Sequence, residues 1–284
     1  MSSTGGVPKR ARWAGLVLLA LLPVAAAVAG CNGVKNQPDA PRQQVIGRRS
    51  KDYWWSLLRG RDAAWTWLDA RCDVTIASPL IDTASKSVRF RGGRLVVQKP
   101  DRVYLRVPRS GDLRLLLAGD GGAFRAELPS FRESFSGTYA DPVVPQPGRI
   151  HIMPADVAHA FCPWAILTGR VPVLTEGPRY SSLSVIEPVD DSETPDVAVT
   201  AAVTLDRATD AIWAIDKYQE QGGIRAVISY PHRTAVTLEN DRSVSIPTGV
   251  LIAYPIEETR ILLMLEDVKL DQPLEDEDLF AAGP

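Results

Sequence analysis

Side chains that could do nucleophilic or metal chemistry are scarce in this sequence. Its cysteines are Cys31, Cys72 and Cys162, and His151 and His159 form the one close pair among its three histidines. No third candidate ligand is near that pair in the sequence, and no cysteine or histidine cluster has zinc spacing. The sequence also lacks a G-x-S-x-G elbow, a P-loop, a zinc-protease helix and a dinucleotide fingerprint. It therefore predicts a protein that is not an enzyme and has no metal site.

Cys31 has the sequence context of a modified thiol. A basic start is followed by an apolar run over 13–30 that ends in small residues directly before Cys31. Such a run is short for a bilayer span and is typical of a secretion signal. Val28-Ala29-Gly30-Cys31 resembles the lipobox of bacterial lipoproteins, in which the cysteine receives a diacylglycerol group and an N-acyl chain after cleavage. The alternative is an uncleaved membrane anchor with an incidental cysteine.

The resemblance to bacterial lipoproteins also implies a location and a boundary. Residues 1–30 would be the signal peptide, and Asn32 after the cysteine favours the outer membrane, facing the periplasm, over the inner membrane. The polar run 31–47 contains two prolines and predicts a flexible tether. Removal of residues 1–30, which hold three basic and no acidic residues, takes the formal charge from −2 to −5. This charge argues against a nucleic-acid partner.

Cys72 and Cys162 remain as an even pair once Cys31 is lipidated. An oxidising compartment would allow a disulfide between them. Two buried free thiols are the alternative, and the sequence leaves both open.

The segment 92–129 carries the strongest structural pattern of the chain. Val103, Leu105 and Val107 share one face of an alternating run, and Leu113, Leu115 and Leu117 share a face of the next. A period of two indicates strands with one buried side. Links of only a few Pro-, Gly- and Asp-rich residues join neighbouring antiparallel strands, because a parallel return needs a longer crossover. The segment therefore predicts an antiparallel meander, with a turn at Gly92-Gly93.

This ordered set of motifs resembles the LolA/LolB-type lipoprotein carriers. The matching features are the Gly-rich turn, Lys99-Pro100, the two alternating strands, the Asp120-Gly121 turn and a Pro-led strand near the C-terminus that precedes an acidic end. The resemblance implies a mainly β (α+β) domain over 48–284. It would be a strongly curved antiparallel sheet, or incomplete β-barrel, with helices covering its concave face. It also implies a membrane-anchored monomer that binds lipid or the acyl chains of another lipoprotein.

The segment 50–71 has helical spacing, with Trp54, Leu57, Leu58, Trp65 and Leu68 on one stripe. On its residues alone an ordinary core helix is favoured, whereas the resemblance to the carriers implies a lid over a lipid cavity and makes the two interpretations about equal. Lys99 occupies the place where the carriers have a basic residue that helps to hold the lid. Lysine lacks the planar, bidentate contact of arginine, so a solvated Lys99 at a strand end is the favoured interpretation.

The second half of the chain is again rich in strands, predicted at 180–187, 196–205, 211–218, 224–230, 233–239, 250–254 and 260–270, after a surface loop at 130–150 and a helix at 154–162. The side chains expected to line an acyl-chain cavity come from the helical stripe and the one-faced strands: Trp54, Leu58, Trp65, Val103, Leu105, Leu113, Leu115 and Val199. The competing function is a non-enzymatic structural or interaction lipoprotein that uses the same fold as a scaffold without a ligand.

Overall fold

A computed structural model describes residues 47–109, 112–140, 148–188, 197–219, 222–238, 243–272 and 277–280. Cys31, the signal segment and nearly all of the tether lie outside the described residues. The lipidation expected at Cys31 therefore stays a prediction.

The described chain folds into one large antiparallel sheet and three helices. The helices are α1 (Lys51–Asp62), α2 (Pro154–Phe161) and α3 (Pro163–Leu167). The strands are β1 (Trp67–Ala77), β2 (Ser87–Gln98), β3 (Arg102–Arg109), β4 (Asp112–Gly119), β5 (Ala123–Leu128), β6 (Glu133–Thr138), β7 (Val173–Glu176), β8 (Tyr180–Pro188), β9 (Val197–Asp206), β10 (Ile212–Tyr218), β11 (Ile224–Thr237), β12 (Ser243–Tyr254) and β13 (Thr259–Leu270).

The order of strands in the sheet is β6-β5-β4-β3-β2-β1-β13-β12-β11-β10-β9-β8-β7. The first and last strands of the chain, β1 and β13, pair in its middle and join two meanders. The sheet stays open, with β6 and β7 as its edges. Helix α2 packs against β2 to β5 from one meander and against β11 and β12 from the other, so the sheet curves around it. The expected fold class, an open and curved antiparallel sheet covered by helices, is confirmed.

Alternation of side chains places the core on the concave face. In β1, Leu68, Ala70, Cys72, Val74 and Ile76 are all buried, while their neighbours are exposed or half-buried. The neighbouring strands β2 to β5 repeat the pattern and pair in sequence order. The predicted meander over 92–129 is therefore confirmed, because apolar residues at every second position can share a dry interior only in this pairing.

The predicted helix over 50–71 is too long. Helix α1 ends at Asp62, and Trp65 and Leu68 lie in the following linker and in β1. The residues from Trp67 onwards fit both a helical and an alternating pattern, and the backbone of this segment instead pairs with β2 on one side and β13 on the other. Two ladders of interstrand hydrogen bonds outweigh the weak helical preference.

The turn predicted at Gly92-Gly93 is wrong. Strand β2 continues through both glycines without a chain reversal. Its register with β1 shifts beside them, between Cys72 and Val74. Such a shift is a β-bulge. Gly92 has a positive φ there, which glycine adopts readily because it has no Cβ. The signal that suggested a chain reversal therefore marks a bend within one strand.

Three shorter differences remain. The strands predicted at 224–230 and 233–239 form one long strand, β11. The edge strand β6 occupies part of the predicted loop at 130–150, and α3 and the edge strand β7 have no counterpart among the predicted elements.

No helix within the described part of the chain combines the length and the apolar character needed to cross a bilayer.

Candidate functional site

Helix α1 forms because its ends are well capped. Ser50 accepts a hydrogen bond from the backbone N–H of Tyr53 at 3.1 Å, Asp52 lies in the first turn, and Arg59 and Arg61 lie in the last. This arrangement satisfies an N-terminal donor and complements the helix dipole. Trp54 and Leu58, one turn apart, are fully buried. The helix therefore lies over the core with one narrow apolar side.

Two contacts fix the first half of α1. The hydroxyl of Tyr53 donates a hydrogen bond to the carboxylate of Asp210 at 2.5 Å, which ties the helix to the turn between β9 and β10. Trp55 meets Trp164 of α3 edge-to-face, with ring centres 4.5 Å apart. These two contacts join α1 to the second meander and to the α2–α3 corner.

Lys99 holds the C-terminal end of α1. Its ammonium group donates hydrogen bonds to the carbonyl oxygens of Arg61, at 3.4 Å, and of Asp62. It also lies 3.7 Å from the Asp62 carboxylate, and its side chain is only 8% exposed. Burial lowers the pKa of Lys99, while the negative charge of Asp62 opposes that shift. The expectation of a solvated Lys99 is wrong: the cation satisfies carbonyls that the helix end leaves free.

A small pocket lies beneath α1, between the α2–α3 corner and strands β10 to β12. Its volume is about 40 Å³, which is room for about three water molecules. The apolar and aromatic lining consists of Leu58, Trp65, Ala160, Phe161, Trp164, Ile212, Tyr230, Val244 and Ile246.

Several polar side chains also line this pocket. Besides Lys99 they are Arg61, Asp62, Arg233 and Ser245. Arg233 donates to the carbonyl of Ile212 at 2.9 Å, and its guanidinium lies 4.6 Å from the centre of the Tyr230 ring. Tyr230 in turn donates to the carbonyl of Ala160 at 2.9 Å. The pocket is thus an apolar space with a basic margin.

The side chains predicted to line a cavity fall into three groups. Leu58 and Trp65 line the pocket under α1. Trp54, Val103, Leu105 and Leu115 belong to the packed core. Leu113 and Val199 are only half-buried, and each lies beside a register shift that disturbs the alternation of its strand.

Several lining residues were not among those expected, including Phe161, Trp164, Tyr230 and Ile246. The apolar side of the helix predicted at 154–162 was the signal that could have pointed to Phe161. Nothing in the local pattern of β11 and β12 separates Tyr230 and Ile246 from other core residues, since their place depends on sheet curvature.

A larger, open groove lies at the opposite end of the sheet. It measures about 740 Å³, and its apolar lining is Leu80, Ile81, Val88, Phe131 and Ile150. Leu80 is 47% exposed there. This groove is the alternative binding site for an apolar ligand, besides the pocket under α1.

Neither the two described cysteines nor His151 and His159 line the pocket under α1. Cys72 and Cys162 are both buried free thiols, so the disulfide considered from the sequence is not formed. His151 lies 3.9 Å from Glu257, whereas His159 contacts Lys217. Across the described ranges no three His, Cys, Asp or Glu side chains come together as a metal site requires.

Comparison with known proteins gives a likeness in structure. No protein-family model matches the chain, and no curated protein matches it. A crystal structure of a domain from Vibrio parahaemolyticus, named for outer membrane lipoprotein sorting, superposes with a TM-score of 0.50 at 12% identity over 80% of this chain and 94% of that one. A LolA superfamily protein from Nitrosomonas europaea gives 0.49 at 15% identity, covering 79% and 96%, and a DUF1329 family protein from Desulfovibrio piger gives 0.48 at 9%, covering 81% and 96%. The chain therefore shares the fold of the Vibrio parahaemolyticus domain, as its motifs predicted, and at 12% identity the similarity concerns the fold alone.

Proposed function

We propose that this protein is a non-enzymatic envelope lipoprotein that binds a lipid, or the acyl chains of another lipoprotein, in the pocket beneath α1. The observation that carries the proposal is the pocket itself: an apolar, aromatic space closed by a helix whose end rests on one buried cation, Lys99. Such a closure can open without breaking the sheet, because α1 is not part of any strand ladder.

Opening is required before any acyl chain can enter. The 40 Å³ pocket holds a few water molecules, whereas ligand pockets commonly enclose about 300–1,000 Å³. Displacing α1 exposes Trp54 and Leu58, which costs about 1.5–3 kcal/mol of hydrophobic free energy for each side chain. Each methylene group of the ligand that becomes buried returns about 0.8 kcal/mol. About four to eight buried methylene groups would offset that exposure. An acyl chain of ordinary length exceeds this number.

The anchor and its setting belong to the same proposal. Residues 1–30 would be removed, Cys31 would carry the acyl chains, and 31–47 would tether the domain 48–284 to the periplasmic face of the outer membrane. The lipobox-like residues before Cys31 support the anchor, and two or more acyl chains give stable attachment. The protein would act as a monomer.

A scaffold without a ligand is the second candidate function. It is favoured by the dense interior, in which Val103, Leu105 and Leu115 are fully buried in one continuous core. In that case the fold would present its surface to a partner, and α1 would stay closed.

Lipid extraction separates the two candidates. The full-length protein is exchanged from detergent into an amphipathic polymer, so that no detergent fills the pocket. Non-covalent lipids are then extracted and identified by mass spectrometry, and binding of a fluorescent, environment-sensitive fatty acid is titrated. Co-purifying lipid and saturable probe binding support the carrier; neither of them, in a folded protein, supports the scaffold.

Two substitutions place the ligand. Ala160→Leu adds a side chain into the space under α1, and Leu80→Glu puts a charge in the groove at the opposite end. We expect the first to weaken probe binding severalfold and the second to leave it unchanged. The reverse pattern would show that the ligand uses the groove and not the pocket.

A further inference from the structure

A second pocket lies on the other side of the α2–α3 corner. Its volume is about 190 Å³, and it is bounded by the two helices and by the ends of β9, β10 and β11. Its described lining is His159, Ala165, Ile166, Arg170, Thr200, Ala201, Lys217, Tyr218 and Arg225. Three of these side chains are cations and none is acidic, so the pocket differs in character from the apolar one under α1.

Two irregularities of the sheet place polar side chains in this pocket. In the β8–β9 ladder, Val185 pairs with Ala201 and Ile186 with Val199, so that Thr200 is the extra residue. In the β10–β11 ladder, Lys217 pairs with Ala226 and Tyr218 with Ile224, so that Arg225 is extra. Each is a β-bulge, and a bulge redirects a side chain that regular alternation would send elsewhere. Both bulged residues line the pocket.

Two cations in the pocket share one carboxylate oxygen. Lys217 and Arg225 both donate to the same carboxylate oxygen of Asp156, Oδ1, at 2.6 and 2.7 Å. Asp156 is fully buried, and the two cationic side chains are only 9% and 17% exposed. One negative charge therefore faces two buried positive charges. Holding an unbalanced charge away from water is costly unless another group neutralises it.

Two further carboxyl groups lie near these cations but do not line the pocket. Glu257 also acts on Arg225, more weakly than Asp156, and burial raises the pKa of that carboxyl group. Arg170, at the margin, forms an ion pair with Glu187 at 3.1 Å, with both side chains well exposed. The carboxylates near these cations therefore lie outside the described lining of the pocket, which holds no acidic side chain.

Two uncharged hydrogen-bonding groups also face the pocket. His159 Nδ1 contacts the ammonium of Lys217, and burial, followed by the charge of Lys217, lowers the pKa of His159. A neutral ring that accepts at Nδ1 carries its hydrogen on Nε2, where it can donate. The hydroxyl of Thr200 is buried and has no hydrogen-bond partner among the described residues.

We propose that this pocket binds a phosphate-type oxyanion, with Lys217, Arg225 and Arg170 supplying the charge and Thr200 and His159 supplying neutral donors. Guanidinium and ammonium groups together with neutral donors match the several acceptor oxygens of a phosphate group. The anion would place negative charge where the described lining has none. The site is independent of the pocket under α1, so either proposal can fail alone.

The rim of the pocket indicates where the phosphate comes from. Val171, Val197 and Ile224 are 80%, 67% and 42% exposed, and each lies within three residues of a lining residue, Arg170, Thr200 or Arg225. Exposed apolar side chains on the segments that line an anion site suit a phosphate that is attached to hydrocarbon. A lipid headgroup therefore fits better than free phosphate.

The test titrates the full-length protein, in a non-ionic detergent, by isothermal calorimetry. The probes are inorganic phosphate and two soluble short-chain lipids, dihexanoyl phosphatidylglycerol and the uncharged dihexanoylglycerol. We expect phosphate to bind, phosphatidylglycerol to bind more tightly, and both to lose affinity when Lys217 is replaced, whereas any binding of the uncharged lipid belongs to the pocket under α1 and should not depend on Lys217. Equal affinity for inorganic phosphate and for phosphatidylglycerol supports the anion site but excludes a lipid as the source of the phosphate group. If neither inorganic phosphate nor phosphatidylglycerol binds, the proposal is overturned.

Substitutions at the margin test the site without disturbing the buried cluster. Arg170→Gln and Thr200→Val should each weaken phosphate binding by about threefold to tenfold. Arg71→Gln is the matched control, because Arg71 is an exposed cation in an ion pair with Asp267 at 3.3 Å outside the pocket. Lys217→Met should abolish binding, and circular dichroism checks that this variant is folded. Equal binding by wild type, Arg170→Gln and Thr200→Val would show that Lys217 and Arg225 serve only to neutralise Asp156.

Discussion

The ammonium group of Lys99 lies 3.7 Å from the centre of the Trp65 ring. One cation therefore touches an aromatic face, the carboxylate of Asp62 and the last carbonyls of α1 at once. The turn between β2 and β3 is joined through it to the helix that closes the pocket. This relationship makes Lys99 the natural point at which to loosen α1.

Replacing Lys99 by methionine should free the C-terminal end of α1. The variant keeps an apolar stem but loses the hydrogen bonds and the cation–π contact, at a cost of about 1–2 kcal/mol in the free energy of unfolding. Amide hydrogen exchange should quicken at the end of α1, and a fatty-acid probe should exchange faster. Lys51→Met is the control, since Lys51 also donates to a backbone carbonyl, that of Pro172 at 3.3 Å. Equal exchange in the two variants would contradict a special role for Lys99.

Two glycines should respond to alanine in opposite directions. A Cβ at Gly93 would lie 2.8 Å from Val107 Cγ2 and 2.9 Å from the carbonyl of Cys72, whereas a Cβ at Gly60 meets nothing within 4 Å. Gly93→Ala should lower the free energy of unfolding by about 1–3 kcal/mol, because the carbonyl group of Cys72 is held in the β1 backbone and cannot move away from the new Cβ. Gly60→Ala, inside α1, should raise it by about 0.5–1 kcal/mol. Chemical denaturation measures both, and the same sign for the two would refute this account of the β2 bulge.

Asp156 should make stability depend on acid pH. Its two cations hold the pKa of the carboxyl group below its ordinary value of 3.8, although burial opposes them. The ionised group therefore stabilises the fold above about pH 4, and this contribution is lost as the pH falls through the folded-state pKa. Asp156→Asn should cost about 3–5 kcal/mol at pH 7 and less at pH 3.

Denaturation curves at the two pH values measure the effect. The other carboxyl groups titrate alike in both proteins and cancel from the difference. Asp69→Asn, which removes a partly exposed ion pair with Arg94, is the control and should cost less than about 1 kcal/mol. A gap between wild type and Asp156→Asn that stays constant from pH 7 to pH 3 would rule out the linkage.

Thiol titration should find Cys72 and Cys162 free. In the unfolded, unreduced protein two groups should react at once, as they do after reduction. In the native protein both should react slowly, because burial raises the pKa of Cys72 to about 12 and also raises that of Cys162. No reactive thiol before reduction and two after it would mean that a disulfide forms.

Intact-protein mass spectrometry tests the anchor. We expect a chain that begins at Cys31 and carries a diacylglycerol and an N-acyl group, and we expect Cys31→Ala to remain unprocessed and unacylated. A wild-type mass that still contains residues 1–30 would support the uncleaved membrane anchor.

Much of the fold followed from local patterns. The alternation of Val103, Leu105 and Val107 identified a one-faced strand, and short polar links required antiparallel neighbours. The segment from Trp65 to Leu68 shows where such reasoning stops. Its apolar spacing fits a helix and a strand equally well, and pairing with β2 and β13 decided the outcome.

The sequence by itself determined the composition of the core, the strand-rich architecture and the scarcity of catalytic groups, because these depend on residue type and near-neighbour spacing. Only the tertiary structure decided that Lys99 meets the end of α1, and that bulges bring Thr200 and Arg225 to one pocket with Lys217. Those contacts join residues far apart in the chain, and they depend on sheet curvature and ladder register. No local pattern encodes either quantity, since both arise from the packing of the whole sheet.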